Sequence, residues 1–214
     1  DAAERMARVE VRSVIVNMTG GRLKSEAFTA EVSLRGQGVS DGDIRRVFEA
    51  MSFTGAETGR SVLHSLPTGF AIDETRHIRD PHGMIGERLG VDMHILTSDE
   101  YAIRNLMLAV ERCHVGVEAV VASPYASGLS SLVDDEAEMG VAVVELGGGT
   151  TSVGVFSSGV LVHADAVAVG GNHITMDIAR GLSTGINHAE RLKTLYGSTL
   201  ASPSDDRETV AVAS

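Results

Sequence analysis

The sequence has little cysteine, proline or aromatic content. Its 214 residues include one cysteine, four prolines and no tryptophan, and aromatic residues make up 4%. The single cysteine, Cys113, excludes an internal disulfide and suits a reducing cytoplasm. No apolar run approaches the roughly 20 residues of a membrane-spanning helix, and the N-terminus lacks the basic-then-apolar pattern of a secretory signal. We therefore expect a cytoplasmic protein.

Basic residues are scarce relative to acidic ones. Eighteen lysines and arginines stand against 29 aspartates and glutamates, which gives a formal net charge of −11. This balance argues against nonspecific nucleic-acid binding and against a surface attracted to anionic lipid. The hydrophobic fraction of 43% is sufficient for a core, and the length suits one large or two modest domains.

Apolar, acidic and glycine residues are combined in the stretch Val141–Phe156, VAVVELGGGTTSVGVF. The apolar residues on either side predict two strands, and the glycines between them predict a tight turn. Glycine reaches positive φ and lets backbone N–H groups come close to a ligand, because it has no Cβ. Successive N–H groups in such a turn form a concave anion site, to which hydroxyls add donors. The candidate phosphate contacts are Gly147, Gly148, Gly149, Thr150 and Thr151.

Glu145 precedes this turn at the end of the first strand. A carboxylate in that position can hold a cation through water, so Glu145 is a candidate metal-binding and catalytic residue. The residues alone leave two interpretations of the stretch open. The hairpin holds nucleotide phosphates, or it is an ordinary glycine-rich β-turn.

A predicted helix after Gly170 and Gly171 supplies further candidates. Glycines at a helix N-terminus allow either close packing or contact with an anion. Asp177 lies in the second turn of this helix. It either acts with metal-bound water near the hairpin or is a surface aspartate.

Histidine and cysteine offer weaker candidates. His77 and His82 are spaced at neither i,i+3 nor i,i+4, and no cysteine accompanies them, so we expect solvated or core imidazoles rather than a metal site. Cys113 follows the apolar stripe of a predicted helix. We expect a small core residue there rather than a reactive thiol.

Local patterns predict the elements around these candidates. Apolar spacing predicts a helix over Asp43–Met51, and a second helix is expected after a cap at Thr97 or Ser98. The segments SVLHSLP and GFAID predict short strand pieces broken by Pro67. The segment His77–Gly86 predicts a loop, and the acidic run Asp134–Glu138 predicts a solvated turn.

The glycine hairpin resembles the second phosphate-binding hairpin of the actin-like ATPase superfamily, which includes actin, the DnaK chaperone and sugar kinases. Those proteins usually have Asp where this chain has Glu145. Ordered segments from about residue 10 to about residue 197 resemble FtsA, the bacterial actin-like protein of cell division. They are VLHSLPTGFAID (62–73), AVERC (109–113), DDEAEMGVAVVELGGGTTSVGVF (134–156) and GGNHITMDIARGL (170–182).

This resemblance implies a fold class and a division of the chain. The class is α/β and α+β, a partial actin-like (ribonuclease H-like) ATPase fold with an inserted small α+β subdomain of the SHS2 type. We expect first-lobe strands in 1–36, the inserted subdomain in 37–97, first-lobe helices and a strand in 98–139, and the start of the second lobe in 140–214. Measured against the family, both ends look cut, so we expect a fragment.

The resemblance also implies a function. The parent protein would be a scaffold of the division ring on the cytoplasmic face of the inner membrane. It would bind ATP with Mg²⁺, polymerise with itself, and recruit FtsZ and other division proteins. Its membrane contact would be a C-terminal amphipathic helix that is missing here. We expect at most a weak ATPase in the parent, and an inactive fragment.

Other actin-like proteins are the alternatives. A PilM-type pilus-assembly adaptor shares both the hairpin and the insert, whereas a sugar kinase or a DnaK-type chaperone shares the hairpin. A kinase should present sugar-binding polar residues between its first-lobe strands, and a DnaK-type chaperone lacks the insert in this place. The segments VLHSLPTGFAID and AVERC favour FtsA.

Overall fold

The computed structural model describes residues 2–20, 22–51, 59–200, 202–203, 207 and 209–212. Part of the predicted insert, residues 52–58, lies outside this range. The chain divides into two units: the first contains Asp1–Glu145 and Ser152–Ala166, and the second contains Leu146–Thr151 and Val167–Ser214. The turn of the glycine hairpin therefore belongs to the second unit, while Glu145 belongs to the first.

Helices and strands alternate irregularly along the first unit and its hairpin. In chain order they are α1 (Ala2–Ala7), β1 (Ser13–Met18), β2 (Lys24–Ser33), α2 (Asp41–Ala50), β3 (Arg60–Ile72), β4 (Thr75–Ile78), β5 (Arg88–Asp99), α3 (Glu100–Glu111), β6 (Gly116–Ala122), α4 (Ser123–Ser131), α5 (Asp134–Met139), β7 (Val141–Leu146), β8 (Thr151–Ser157) and β9 (Val160–Val167). The helices of the second unit are α6 (Gly171–Gly181) and α7 (Ile186–Tyr196). The predicted helix of the insert and the predicted strand–turn–strand hairpin are confirmed.

A four-stranded antiparallel sheet in the order β2-β5-β3-β4 packs against α2. We call this sheet and helix the four-stranded module. Alternate residues of β5 point to α2, as the two-residue period of a strand requires, and Val47 of α2 is fully buried among them. The buried residues of this core are Leu34, Val39, Val47, Ile72, Leu89, Val91, Met93 and Ile95.

Strand β2 corrects the expected boundary of the insert. All ten of its residues pair with β5, from Lys24 opposite Thr97 to Ser33 opposite Arg88. Its alternate apolar residues Phe28 and Val32 pack on the module's core, which is why the strand belongs to this sheet. Assigning 1–36 as a whole to first-lobe strands was therefore wrong for β2. The rest of the division into lobes stays a prediction.

Strand β3 is continuous, where two pieces broken by Pro67 were predicted. The ladder between β3 and β5 shifts register between Pro67 and Gly69, and an irregularity of this kind accommodates a residue that has no N–H to donate. The predicted loop His77–Gly86 is also wrong at its start, because β4 ends at Ile78 and pairs with the end of β3.

The start of α3 and the structure of the acidic run differ from the prediction. The side chain of Asp99 caps α3 and accepts from the N–H of Ala102 at 3.0 Å, whereas Thr97 and Ser98 are buried in β5. The acidic run forms the short helix α5 rather than a turn. Acidic residues in its first turn suit the helix dipole, and Gly140 ends it with a φ of 104°.

The remaining strands of the first unit form a parallel pair, β1-β6, and the three-stranded sheet β7-β8-β9. Their apolar residues share a second core, which includes Leu96, Ala122, Phe156 and Leu161. Helix α4 approaches β8 closely at Gly128, where a Cβ would lie 2.0 Å from Cζ of Phe156. Within the described part of the chain, no helix has the length and apolar character needed to cross a membrane.

We predict that Gly128→Ala destabilises the chain by about 1–3 kcal/mol, because the added methyl group would force the buried Phe156 ring to move. Gly42→Ala is the matched control, since a Cβ at this helical glycine would meet Ser40 Oγ at an ordinary 3.6 Å. Urea unfolding of both variants provides the measurement. An unchanged free energy of unfolding for Gly128→Ala would contradict the packing described here.

Candidate functional site

The Gly147–Thr151 turn is fastened to the start of α6 by backbone hydrogen bonds. The N–H of Gly147 donates to the carbonyl of Thr150 at 2.9 Å and closes the turn. The carbonyl of Gly147 then accepts from the N–H of Gly171 at 2.9 Å, and the carbonyl of Gly148 accepts from Asn172 at 2.7 Å. Thr151 adds a side-chain bond from Oγ1 to the carbonyl of Val169 at 2.8 Å. The position of the turn is therefore fixed by α6.

The glycines of the turn are needed for close approach, not for positive φ. All three lie within the described residues and none has a positive φ, so that part of the prediction is wrong. A Cβ on Gly147 would lie 2.9 Å from the carbonyl oxygen of Thr150, and one on Gly148 would lie 3.3 Å from the side chain of Asn172. The three glycines are exposed, and the space beside Gly149 is open.

Gly170 and Gly171 pack closely against the glycine turn. A Cβ on Gly170 would lie 2.4 Å from the carbonyl oxygen of Gly147. The N–H of Gly171 is used by that same carbonyl. These glycines therefore let α6 meet the turn.

Helix α7 anchors the start of α6 through Lys193. Its ammonium donates to the carbonyl of Gly171 at 3.1 Å and to Oγ1 of the buried Thr175 at 2.8 Å. It also pairs with Glu190 at 2.7 Å. The hydrogen bond from Lys193 and a second one from Thr175 lower the pKa of Glu190. This network was not predicted from the sequence, although the i,i+3 spacing of Glu190 and Lys193 signals a pair on one face of a helix.

In the first unit, the carboxylate of Glu145 is held by two serine hydroxyls. Ser152 on β8 donates from Oγ to Oε2 at 2.6 Å, and Ser127 on α4 donates to Oε1. The carboxylate lies on β7, and the bonds to it are partly buried. The role of Ser127 was not predicted from the sequence. Ser127 follows the buried Ser123 by four residues, and this spacing puts both on one helix face. The spacing could have indicated from the sequence that Ser127 also faces inward.

Asp177 is an exposed residue of α6 in the second unit. It and Glu145 belong to different units, so their expected joint role with metal-bound water stays a prediction. The described ranges contain no group of three or more His, Cys, Asp or Glu side chains that could hold a metal ion.

The remaining candidates have local explanations. His82 is exposed and bonds Asp80 and Asp41, and these hydrogen bonds raise its pKa. Cys113 lies beyond the end of α3 and is exposed. The expectation of a core residue there is wrong, because the buried stripe ends with the helix.

A cavity of about 670 Å³ in the first unit lies apart from these residues. It is bounded by the β3–β4 hairpin, by α5 and by the turn between β8 and β9, and Arg79 pairs with Glu138 at its edge. Its lining includes neither Glu145 nor the glycine turn.

Comparisons with known proteins agree with this architecture. The family model described as "SHS2 domain inserted in FTSA" matches residues 20–97, and the one described as "Cell division protein FtsA" matches residues 142–214. The first match includes strand β2, in agreement with the sheet. FtsA of Rhizobium meliloti strain 1021 is 53% identical over 212 residues, which are 99% of this chain and 48% of that protein.

More distant relatives show the same pattern. FtsA of Pseudomonas aeruginosa PAO1 is 34% identical and FtsA of Escherichia coli K12 is 32% identical, each over 214 residues that make up 51% of the relative. The chain thus spans about half the length of the curated relatives it matches.

Among solved structures, a PilM–PilN type IV pilus biogenesis complex contains a chain with a TM-score of 0.62 at 15% identity. The match covers 91% of this chain and 54% of that one, and it shows a likeness of fold alone. The predicted mixed α/β composition and the inserted SHS2 domain are confirmed. From the two family models and the identities to its relatives, the chain belongs to the FtsA family of cell division proteins.

Proposed function

We propose that this chain supplies the SHS2 domain and one phosphate-binding hairpin of a nucleotide-dependent division scaffold. The observation that carries this proposal is the exposed glycine turn whose carbonyls are bonded to the start of α6. With those carbonyls engaged, the turn keeps its shape without a ligand. A preorganised turn loses little conformational entropy when it binds.

The proposed ligand is ATP, with phosphates at the Gly147–Thr151 turn. Backbone N–H groups and the hydroxyl of Thr150 are the donors that suit an anion there. Gly170 and Gly171 serve this site by packing rather than by donation, because the N–H of Gly171 already bonds the turn.

Mg²⁺ is the proposed metal, and the side chains present fit it. Magnesium prefers oxygen ligands and usually keeps several of its waters. Each oxygen of Glu145 accepts one hydroxyl bond, and a carboxylate has about four acceptor sites, so capacity remains for a metal-bound water. We propose that Glu145 and Asp177 each act through such water. When bound, the metal would neutralise phosphate charge.

For the whole protein, we propose a scaffold that links FtsZ filaments to the inner membrane and polymerises in an ATP-dependent way. Support comes from membership of the FtsA family. The net charge of −11 disfavours attachment of this chain's own surface to anionic lipid. A PilM-type role is less well supported, since identity falls from 53% with an FtsA protein to 15% with the PilM–PilN structure.

We predict that this chain by itself shows no saturable binding of Mg-ATP below millimolar concentration. The chain spans about half the length of its relatives, so a nucleotide site built from two lobes would keep only part of its donors. Hydrogen bonds to charged groups contribute about 1.5–3 kcal/mol each, and the loss of several removes orders of magnitude in affinity. Isothermal titration calorimetry is the measurement. Micromolar affinity would overturn this account.

In a protein of full FtsA length that carries this chain, we predict that Glu145→Asp leaves ATP affinity nearly unchanged and raises turnover. The extra methylene of Glu places its carboxylate further from the strand than the usual Asp of actin-like proteins. A tenfold rise would correspond to about 1.4 kcal/mol in the barrier. Phosphate release provides the measurement, and Glu111→Asp on the exposed end of α3 is the control. Unchanged turnover would show that Glu145 is merely tolerated.

A further inference from the structure

His64 on β3 joins the four-stranded module to helix α4 by two contacts. Its Nε2 accepts a hydrogen bond from the N–H of Ala122 at 2.9 Å. Its ring meets Tyr125 edge to face, with centroids 4.8 Å apart. Ala122 is the N-cap residue of α4 and is fully buried, so water has no access to replace the imidazole as acceptor. The position where β6 becomes α4 therefore depends on a side chain of the module.

Helix α4 continues from this contact to the carboxylate of Glu145. Ser127, one turn beyond Ser123, donates to Oε1 of Glu145. Tyr125 stacks at 6.5 Å on Phe156 of β8, the strand from which Ser152 donates to the other oxygen. One of the two hydroxyls that hold the carboxylate thus lies on the helix that carries Tyr125, and the other lies on the strand that Tyr125 contacts.

We infer that His64 is a positioning residue, whose neutral imidazole fixes the first turn of α4 and thereby sets Ser127 and the carboxylate of Glu145. A displacement within the module is then transmitted to Glu145 through α4. The inference rests on the proposed function for the importance of Glu145, but the contacts themselves do not involve a nucleotide.

Protonation of His64 would break its hydrogen bond with the N–H of Ala122. Once Nε2 carries a proton, two N–H donors face each other where an acceptor is needed. Burial, followed by the nearby His94, lowers the pKa of His64, so the imidazole is neutral near pH 7. The titratable groups that face it are His94 from β5 and Tyr125 from α4, and His163 of β9 acts in turn on His94.

The direction of the pH effect follows from this lowered pKa. The unfolded chain takes up a proton at His64 near the ordinary value of about 6.5, while the folded chain resists protonation. The stability that His64 contributes is therefore complete above that pH and is lost as the pH falls from there toward the folded-state pKa. His94 acts in the same direction, because burial lowers its pKa too.

The test uses the 214-residue chain and nuclear magnetic resonance between pH 5 and 8. It follows the His64 imidazole, the carboxyl carbon of Glu145 and amide exchange at Ser123 and in residues 125–128, since Pro124 has no amide hydrogen. His64→Phe keeps an aromatic ring and removes the acceptor, whereas His64→Gln keeps a neutral acceptor. His82→Gln is the control, because His82 is an exposed histidine that bonds Asp80 and Asp41 rather than α4. Ser127→Ala provides the reference shift for a released Glu145.

We expect His64 to titrate below about 6.5 and the Glu145 signal to follow that titration. His64→Phe removes the acceptor for the N–H of Ala122 and should raise amide exchange at the start of α4 about tenfold, which corresponds to about 1.4 kcal/mol of opening free energy. It should also shift the carboxyl signal of Glu145 in the direction seen with Ser127→Ala. His64→Gln should abolish the part of the pH dependence of the Glu145 signal that follows His64. His82→Gln should leave the Glu145 signal and amide exchange in α4 unchanged.

The inference is overturned if folded His64→Phe leaves Glu145 and α4 unaffected, or if His64 titrates at or above its ordinary pKa. If His64→Phe does not fold, the titration of the unmodified chain decides alone. None of these readouts contains ATP. A failure of nucleotide binding therefore counts against the proposed function, and an unresponsive Glu145 counts against the link.

Discussion

Burial of strand β5 on both faces is the constraint on which the first unit depends. Leu89, Val91 and Ile95 point into the core under α2, and Leu96 points into the second core with Ala122. A buried aliphatic side chain contributes about 1.5–3 kcal/mol, so one strand secures both the four-stranded module and its attachment to the rest of the unit. A polar residue at Leu96 would leave the module intact and loosen the attachment, whereas one at Val91 would damage the module itself.

Local patterns in the sequence were sufficient for elements whose partners are near in the chain. The strand–turn–strand over β7 and β8 and the helix α2 were predicted because their periods and turn residues are contiguous. Strand β2 was misplaced because it pairs with β5 about sixty residues away, and no local pattern encodes that partner. The break expected at Pro67 failed for a related reason, since the register shift that admits proline depends on the neighbouring strand.

The candidate site divides in the same way between what is local and what is not. The turn and Glu145 were visible in one continuous stretch. Ser127 and Lys193 were missed, because each reaches its partner from a different element of the fold. Side-chain donors of this kind depend on packing between elements. The glycines of the turn were predicted at the correct position, but the reason given was wrong. They permit close approach of neighbouring groups and do not adopt positive φ.

The central claim is that a turn preformed by its bonds to α6 receives nucleotide phosphates. A crystal structure of a full-length FtsA protein carrying this chain, with Mg²⁺ and a non-hydrolysable ATP analogue, would test it most directly. The account predicts phosphate oxygens within about 3.2 Å of backbone N–H groups of the turn, with the bonds from Gly171 and Asn172 to the turn carbonyls retained. Phosphates bound elsewhere, or a turn that has separated from α6, would contradict it.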